Sequence, residues 1–405
     1  MTFREKSNCK YIAKSILKKM PEVKRPQFNF ILEIFSLFLS IKGRLNFLQF
    51  ARYGKRCEQS YRNGFAKAFN FLSFNQHLLE NQGSKRRIIA FDPSFVRKAG
   101  KLTSGVGYYW SGVAGTTKWG LEIGGIAAVD LDVRTAYHLE AVQTPSATTD
   151  GDTLVTHYTN LLLERKERLL SISKYIVADA YFSKYNFVSS LNENGFEVIS
   201  RLRNDADLLY LFTGVQKGGR GAPKKYDGKV LYNKLNDDYF FYTKIDDVNT
   251  SFHGTVYSKS LKRKINLVGV ITEKKGKKTH KLYFTTGLEM RAEDVLEKYG
   301  ARFQIEFLFR DAKQHTGLDH CQARDSEKLY FHWNTALTSV NIAKVAHWSN
   351  EVGADKQPFS MADVKTLYHN QLLLDRFIVK FGIRPNKPKN KKIIRDLLNY
   401  GARAA

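Results

Sequence analysis

Two short apolar runs that each stop on an aspartate constrain this chain most. They are RRIIAFDP, reaching Asp92, and YIVADAYFS, reaching Asp179. Short runs rich in β-branched and aromatic residues read as buried strands. Pro93 biases Asp92 towards extended geometry and is expected to end the first strand there. The Gly- and aromatic-rich GVGYYWSGVAG that follows reads as a turn or bulge. LEIGGIAAVDL and TAYHLEAVQTP, from Leu121 and Thr135, read as two further strands. Residues 151–170 read as a helix with Leu154, Tyr158, Leu161 and Leu162 as its apolar face. After Asp179 come a helix from Lys184 to Glu193, closed by Gly195, and the strand FEVISRLR from Phe196. The order is three strands, helix, strand, helix, strand, an α/β arrangement around a mixed sheet. Both aspartates fall at strand ends, where functional groups of open α/β sheets gather.

The flanking segments differ in character. Residues 1–82 read as helical, with a first strong helix from near Pro26 to about Ile41, a second in LNFLQFARY and a third from near Glu58. Short helices with basic turns suggest a helix-turn-helix-like DNA-binding module, with Arg44, Arg52, Lys55, Arg56 and Arg62 as phosphate contacts. A plain helical cap on the core is the alternative. Residues 83–203 hold the first part of the core. Residues 204–288 open with the basic loop KGGRGAPKKYDGK and continue as KVLYNKL, YFFYTKI, GTVYSKSL, KINLVGVIT and KLYFTTG, a β-strand insertion. Residues 289–350 return to helix and complete the core. Residues 351–405 are a helical region with a basic tail from Arg384, which either contacts DNA or is a loose end.

Composition narrows the partners. The 405 residues carry 65 Lys and Arg against 39 Asp and Glu, a net charge of +26, which favours a polyanion such as nucleic acid. The basic residues are spread through globular sequence, and the apolar run FNFILEIFSLFLSI from Phe28 is broken by polar residues. It therefore reads as a buried helix, and no membrane is implied. Cys9, Cys57 and Cys321 have no metal-ligand spacing and are expected as reduced, buried thiols of a cytoplasmic protein. No GxxxxGK[ST] motif is present, so no nucleotide cofactor is implied. His315 and His320 are expected to be structural or surface groups.

The stretch YGARFQIEFLFRDAK places Tyr299, Arg302, Glu306 and Lys313 at offsets 0, 3, 7 and 14. On one continuous helix these fall within a sector of about 60°. An anion among cations suits a site that holds metal and phosphate together. An ordinary surface helix with an Arg302–Glu306 pair has the same spacing.

This spacing, with its RFQIEFLFRDAKQ context, resembles the Tyr-Arg-Glu-Lys (YREK) signature of one group of bacterial insertion-sequence DDE transposases. The resemblance runs from about residue 25 to about residue 350. It implies a ribonuclease H-like sheet interrupted by the β-strand insertion, an N-terminal domain that binds terminal repeats, and a catalytic triad of Asp92, Asp179 and Glu306. That triad would hold two Mg²⁺ or Mn²⁺ ions. One ion would activate water and the other would stabilise the leaving 3′ oxygen. The freed 3′-hydroxyl then attacks target DNA, giving cut-and-paste transposition by a homodimer on double-stranded terminal inverted repeats. Tyr299, Arg302 and Lys313 are implied to contact DNA phosphates, with Arg310 a further candidate. Some relatives stack a flipped base on a Trp of the insertion, but Trp110, Trp119, Trp333 and Trp348 all lie outside it here. The alternatives are a nuclease of the same fold without strand transfer, and a non-catalytic DNA-binding derivative.

Overall fold

The computed structural model describes residues 4–80, 84–146, 153–216, 218, 221–348 and 358–402. The boundaries expected near residues 82 and 350, and part of the basic loop from Lys217, lie outside these residues.

The chain opens with α1 (Arg4–Leu17), α2 (Arg25–Ser40), α3 (Phe47–Tyr53), α4 (Glu58–Phe65) and α5 (Phe71–Glu80). Pro26 sits in the first turn of α2, where a missing N–H costs nothing, and the Asn46 side chain caps α3 by accepting the Gln49 N–H. Phe30, Phe50 and Phe65 build an aromatic cluster that continues onto Phe331 and His332 of the C-terminal half. These helices thus share a core with the rest of the protein. Of the five cations expected to meet phosphate, Arg56 is paired with Glu33 at 2.8 Å and Arg62 with Glu58 at 2.5 Å. Arg44, Arg52 and Lys55 are exposed. Cys57 is exposed too, contrary to expectation, because it begins α4 on the outer surface.

The middle of the chain runs β1 (Arg87–Arg97), β2 (Gly107–Ser111), β3 (Thr116–Asp130), β4 (Thr135–Gln143), α6 (Leu154–Leu163), α7 (Lys166–Leu170), β5 (Tyr175–Val177), α8 (Tyr185–Glu193) and β6 (Glu197–Leu202). Then follow β7 (Leu208–Leu211), β8 (Tyr226–Lys229), β9 (Phe241–Lys244), β10 (Asn249–Ser258), β11 (Arg263–Lys274) and β12 (Lys277–Thr285). The C-terminal helices are α9 (Ala292–Ala301), α10 (Gln304–His315), α11 (Ser326–Trp348), α12 (Met361–Lys380) and α13 (Pro388–Leu398). The basic tail is therefore helical, with Pro388 in its first turn.

All the described strands join one mixed sheet in the order β2-β3-β1-β5-β6-β12-β11-β10-β7-β8, with β4 on β3 and β9 on β10. β3 runs antiparallel to β1 and β4 antiparallel to β3, while β5 and β6 are parallel to β1, an arrangement consistent with a ribonuclease H-like core. The strands expected as an insertion are not a separate sheet. β12 pairs with β6 from Leu282↔Leu202 to Thr285↔Ile199 and extends the core.

Local expectations are corrected in several places. β1 continues through Pro93 to Arg97, because β5 pairs only with Ile89 and Ala90. Beyond them that edge is open, where a proline is tolerated. The aromatic GVGYYWSGVAG supplies β2, which pairs with the first part of β3. The helix expected over 151–170 is broken into α6 and α7, and KVLYNKL is loop after Lys229.

Alternation along β1 sorts the two faces. Phe91 packs on Tyr158 of α6 and on Phe182, while Asp92, one residue on, faces α10. α11 lies along β4, whose outer edge has no strand partner in the sheet order. Asn334 accepts the Ala141 N–H at 2.8 Å and donates to the Ala141 carbonyl at 2.9 Å. Asn341 makes the same pair of bonds to His138, both at 2.8 Å. Two helix amides thus satisfy a strand edge that burial would otherwise leave unpaired.

Candidate active site

The parallel register between β1 and β5 pairs Ala90 with Val177. Position 92 and position 179 each lie two residues further on, so both aspartates sit just past the paired ends of neighbouring strands, which run about 4.8 Å apart where they pair. Asp179 follows the end of β5 and caps a 3-10 turn, accepting the Tyr181 N–H at 3.0 Å. Its backbone carbonyl accepts from Ser200 Oγ at 2.8 Å, which ties the turn to β6.

Glu306 arrives on α10, whose buried face is Ile305, Leu308, Phe309 and Ala312. Close approach of this helix depends on Gly125, the register partner of Asp92. A Cβ there would sit 2.4 Å from the Phe309 ring. Glu306 itself is exposed, beside the exposed rings of Phe303 and Phe307.

Arg302 joins these groups. Its side chain is 8% exposed, with Nη1 donating to Asp92 Oδ1 at 3.2 Å and Nη2 to Glu306 Oε1 at 3.0 Å. Burial pushes the Asp92 carboxyl up to about 7. Arg302 pulls it down, and Asp179 and Glu306 push it further up. Burial also raises Asp179, again opposed by Arg302. These effects put Asp179, Glu306 and the Arg302 guanidinium within electrostatic reach of Asp92.

The continuous helix expected from Ala292 to His315 is interrupted. α9 ends at Ala301 and α10 begins at Gln304. Across the join, the N–H groups of Arg302, Phe303, Ile305 and Glu306 each bond three residues back rather than four. Such 3-10 steps turn more per residue than α-helical ones, so the expected sector is not kept. Tyr299 turns towards β12, with its ring centroid 4.8 Å from that of Tyr283. Lys313 reaches past Asp92 to Ser94 Oγ at 3.0 Å and the Phe95 carbonyl at 2.7 Å on β1. Arg302, read from sequence as a phosphate contact, is occupied by carboxylates. Arg310 is exposed, stacked over Phe307 at 4.8 Å and bonded to Asp311 at 3.3 Å.

Sequence reasoning missed Glu122. It sits opposite Phe95 in the β1–β3 register, on the other pleat from Asp92. It is buried and accepts the Tyr158 hydroxyl at 2.5 Å; burial raises its carboxyl, and its charge reaches Asp92. The single acid in the apolar run LEIGGIAAV was the available signal. His315 and His320 do not join the carboxylates but line a separate cavity. His332 is buried, with Nε2 2.7 Å from the Gly317 carbonyl.

Among the described residues, no three His, Cys, Asp or Glu side chains are gathered closely enough to hold a metal ion. The chemistry of the donor set nevertheless fits a hard divalent cation. It offers carboxylate oxygens on three elements, two of them raised by burial and already drawing one cation, Arg302, between them. No helix of the described residues is long and apolar enough to cross a membrane.

No curated protein matches the chain. The sheet and helices that carry this cluster are matched over residues 83–342 by the family model described as the transposase DDE domain, and the chain belongs to that family of enzymes.

Proposed function

We propose that the chain cuts DNA at the ends of its own insertion sequence and joins the freed 3′ ends to target DNA, with Asp92, Asp179 and Glu306 as the catalytic triad. Transposase function follows from the family, and enzymes of this family generally use divalent metals. The observation that carries the residue assignment is the Ala90↔Val177 register, which sets both aspartates just past the paired ends of neighbouring strands, together with the Arg302 fork that ties Asp92 to Glu306.

In this reading Asp92, Asp179 and Glu306 hold Mg²⁺ or Mn²⁺. When bound, two such ions lower the pKa of attacking water and stabilise the leaving 3′ oxygen. The protein's own groups do the remaining work. Arg302 favours the ionised form of Asp92 and keeps Glu306 turned towards it. Lys313 fixes the stretch of β1 beyond Asp92. Arg310 is the exposed cation of α10 best placed for a DNA phosphate, and Tyr299 and Lys313 contact DNA through the faces they leave open. The exposed Arg44, Arg52 and Lys55 support DNA binding by the N-terminal helices. The strands after residue 204 serve as the family's β insertion, and the active assembly is a homodimer on terminal inverted repeats.

A cleavage assay tests this reading. Labelled DNA carrying the element's ends is incubated with Mg²⁺ or Mn²⁺ and wild type, Asp92→Ala, Asp179→Ala or Glu306→Ala. Cleavage and joined products from wild type alone are expected. Cleavage by Asp179→Ala removes the triad assignment, and cleavage without joined products leaves a nuclease.

A further inference from the structure

A cavity of about 800 Å³ opens where the α2–α3 connection, the end of β1, the end of α10 and the start of α12 meet. It lies away from the carboxylates. Arg97 is five residues along β1 from Asp92, about 17 Å at strand rise. His315 is nine residues along α10 from Glu306, about 14 Å at helical rise.

Its walls are basic. Lys42, Arg44, Arg97, Lys98 and Lys365 face one carboxylate, Asp319, with His315 and His320 between them. Asp319 Oδ2 already accepts from Arg97 at 3.1 Å, and Lys98 is held by the Cys321 and Ala323 carbonyls, both at 2.7 Å. His320 Nδ1 accepts the Leu45 N–H at 3.1 Å, which leaves its hydrogen on Nε2 as a donor.

Lys365 makes this more than a basic surface. It is 6% exposed, and its ammonium donates to the Phe38 carbonyl at 2.5 Å. Among the described residues it forms no ion pair with a carboxylate, and burial pushes its pKa down to about 7. A buried cation without a counter-charge is costly. Two of its three N–H donors remain for a partner that brings negative charge. The first turns of α12, where Ala362 and Lys365 sit, add the positive end of a helix dipole.

We infer that this cavity is a phosphate-binding site, filled by a backbone phosphodiester of bound DNA or by a free phosphate or pyrophosphate. The DNA source rests on the transposase reading; the site itself does not. With DNA as the source, it grips the backbone about four to five base-pair steps from the carboxylates. It would also link the N-terminal helices, the sheet and α12 through one anion.

The test is binding by the full chain in metal-free buffer. Pyrophosphate is titrated by calorimetry at pH 7.5 in two buffers of different ionisation heat. A labelled duplex is titrated by anisotropy over a salt series. Wild type is compared with the exposed pair Lys42→Ala/Arg44→Ala and with Lys365→Met. Expected are one saturable pyrophosphate site with proton uptake, weakened about tenfold or more in both variants. The slope of log affinity for DNA against log salt should also fall by about 1 in the exposed pair. The part of the proton uptake that Lys365→Met abolishes is a readout that a merely structural lysine would not give. Loss on DNA alone, in Lys365→Met as well as in the exposed pair, assigns the site to the DNA backbone, and loss on pyrophosphate alone assigns it to a free phosphate. A wild type that binds pyrophosphate but no DNA removes the transposase reading and keeps the site. Unchanged binding of both ligands in both variants overturns the inference, even if cleavage still depends on Asp179.

Discussion

Arg302 donates to Asp92 across 210 residues of sequence, and the bond links the α9–α10 join, just before the helix that carries Glu306, to the strand that carries the first aspartate. Replacing it tests whether the fork or only the charge matters. Arg302→Lys retains a cation but cannot reach both carboxylates with planar donors. Arg302→Ala should lower stability by about 3 kcal/mol, because partly buried carboxylates lose their partner. Cleavage should fall in both variants, and further in Arg302→Ala. Urea unfolding and initial cleavage rates provide the check.

The raised Asp92 carboxyl gives a pH-dependent cost. Its folded pKa of about 7 stands above the ordinary 3.8, so the folded state holds a proton that the unfolded chain has released. Stability from this group is present below the ordinary value and is lost as pH rises through about 7. At pH 8 with EDTA, Asp92→Asn should melt a few degrees above wild type, and in Mg²⁺ it should lose cleavage. Mg²⁺ should raise the melting temperature of wild type and leave Asp92→Asn unchanged.

Gly125 permits the contact between α10 and β3. Gly125→Ala would drive a methyl group into the Phe309 ring. Overpacking of this kind costs roughly 1–3 kcal/mol. Because Phe309 lies one turn after Glu306 on α10, cleavage should drop by more than DNA binding does. Single-turnover rates beside anisotropy separate the two effects.

The amides on α11 carry the edge of β4. Asn334→Leu should destabilise by about 2–4 kcal/mol, since it strands both backbone groups of Ala141 in the interior. The variant should show earlier hydrogen exchange at Ala141, with β1 and β5 less affected.

Buried neutral histidines predict acid lability. Burial pushes His138 down to about 3 and His332 to about 4, from an ordinary 6.5. The unfolded chain gains these protons first, so stability is intact above about 6.5 and is lost as pH falls towards the folded values. Each contributes about 1.4 kcal/mol per pH unit in that window. His138→Gln should flatten the fall in urea midpoint between pH 6.5 and 5.

The strand and helix order of the core was legible in the sequence because apolar runs, breakers and caps are local. Periodicity alone placed Asp92 and Asp179 at or beside strands. It could not reveal that β1 runs on through Pro93, because the tolerance of that proline comes from a neighbour, β5, stopping short. Glu122 was passed over because a lone acid in an apolar run is explained only by the Tyr158 hydroxyl that meets it from α6.

The sequence by itself determined the chemistry on offer: acids on strands and on a helix, a surplus of cations, and a helix spacing that gathers Tyr299, Arg302, Glu306 and Lys313. Only the tertiary structure decided how these are spent. It broke the helix at Arg302, turned Tyr299 to Tyr283, sent Lys313 to β1 and set the guanidinium between Asp92 and Glu306. The reason is that helical periodicity describes one isolated element. The direction of a buried charge is fixed by which opposite charges and carbonyls a second element brings within a few ångströms, and strand register sets that across 210 residues of chain.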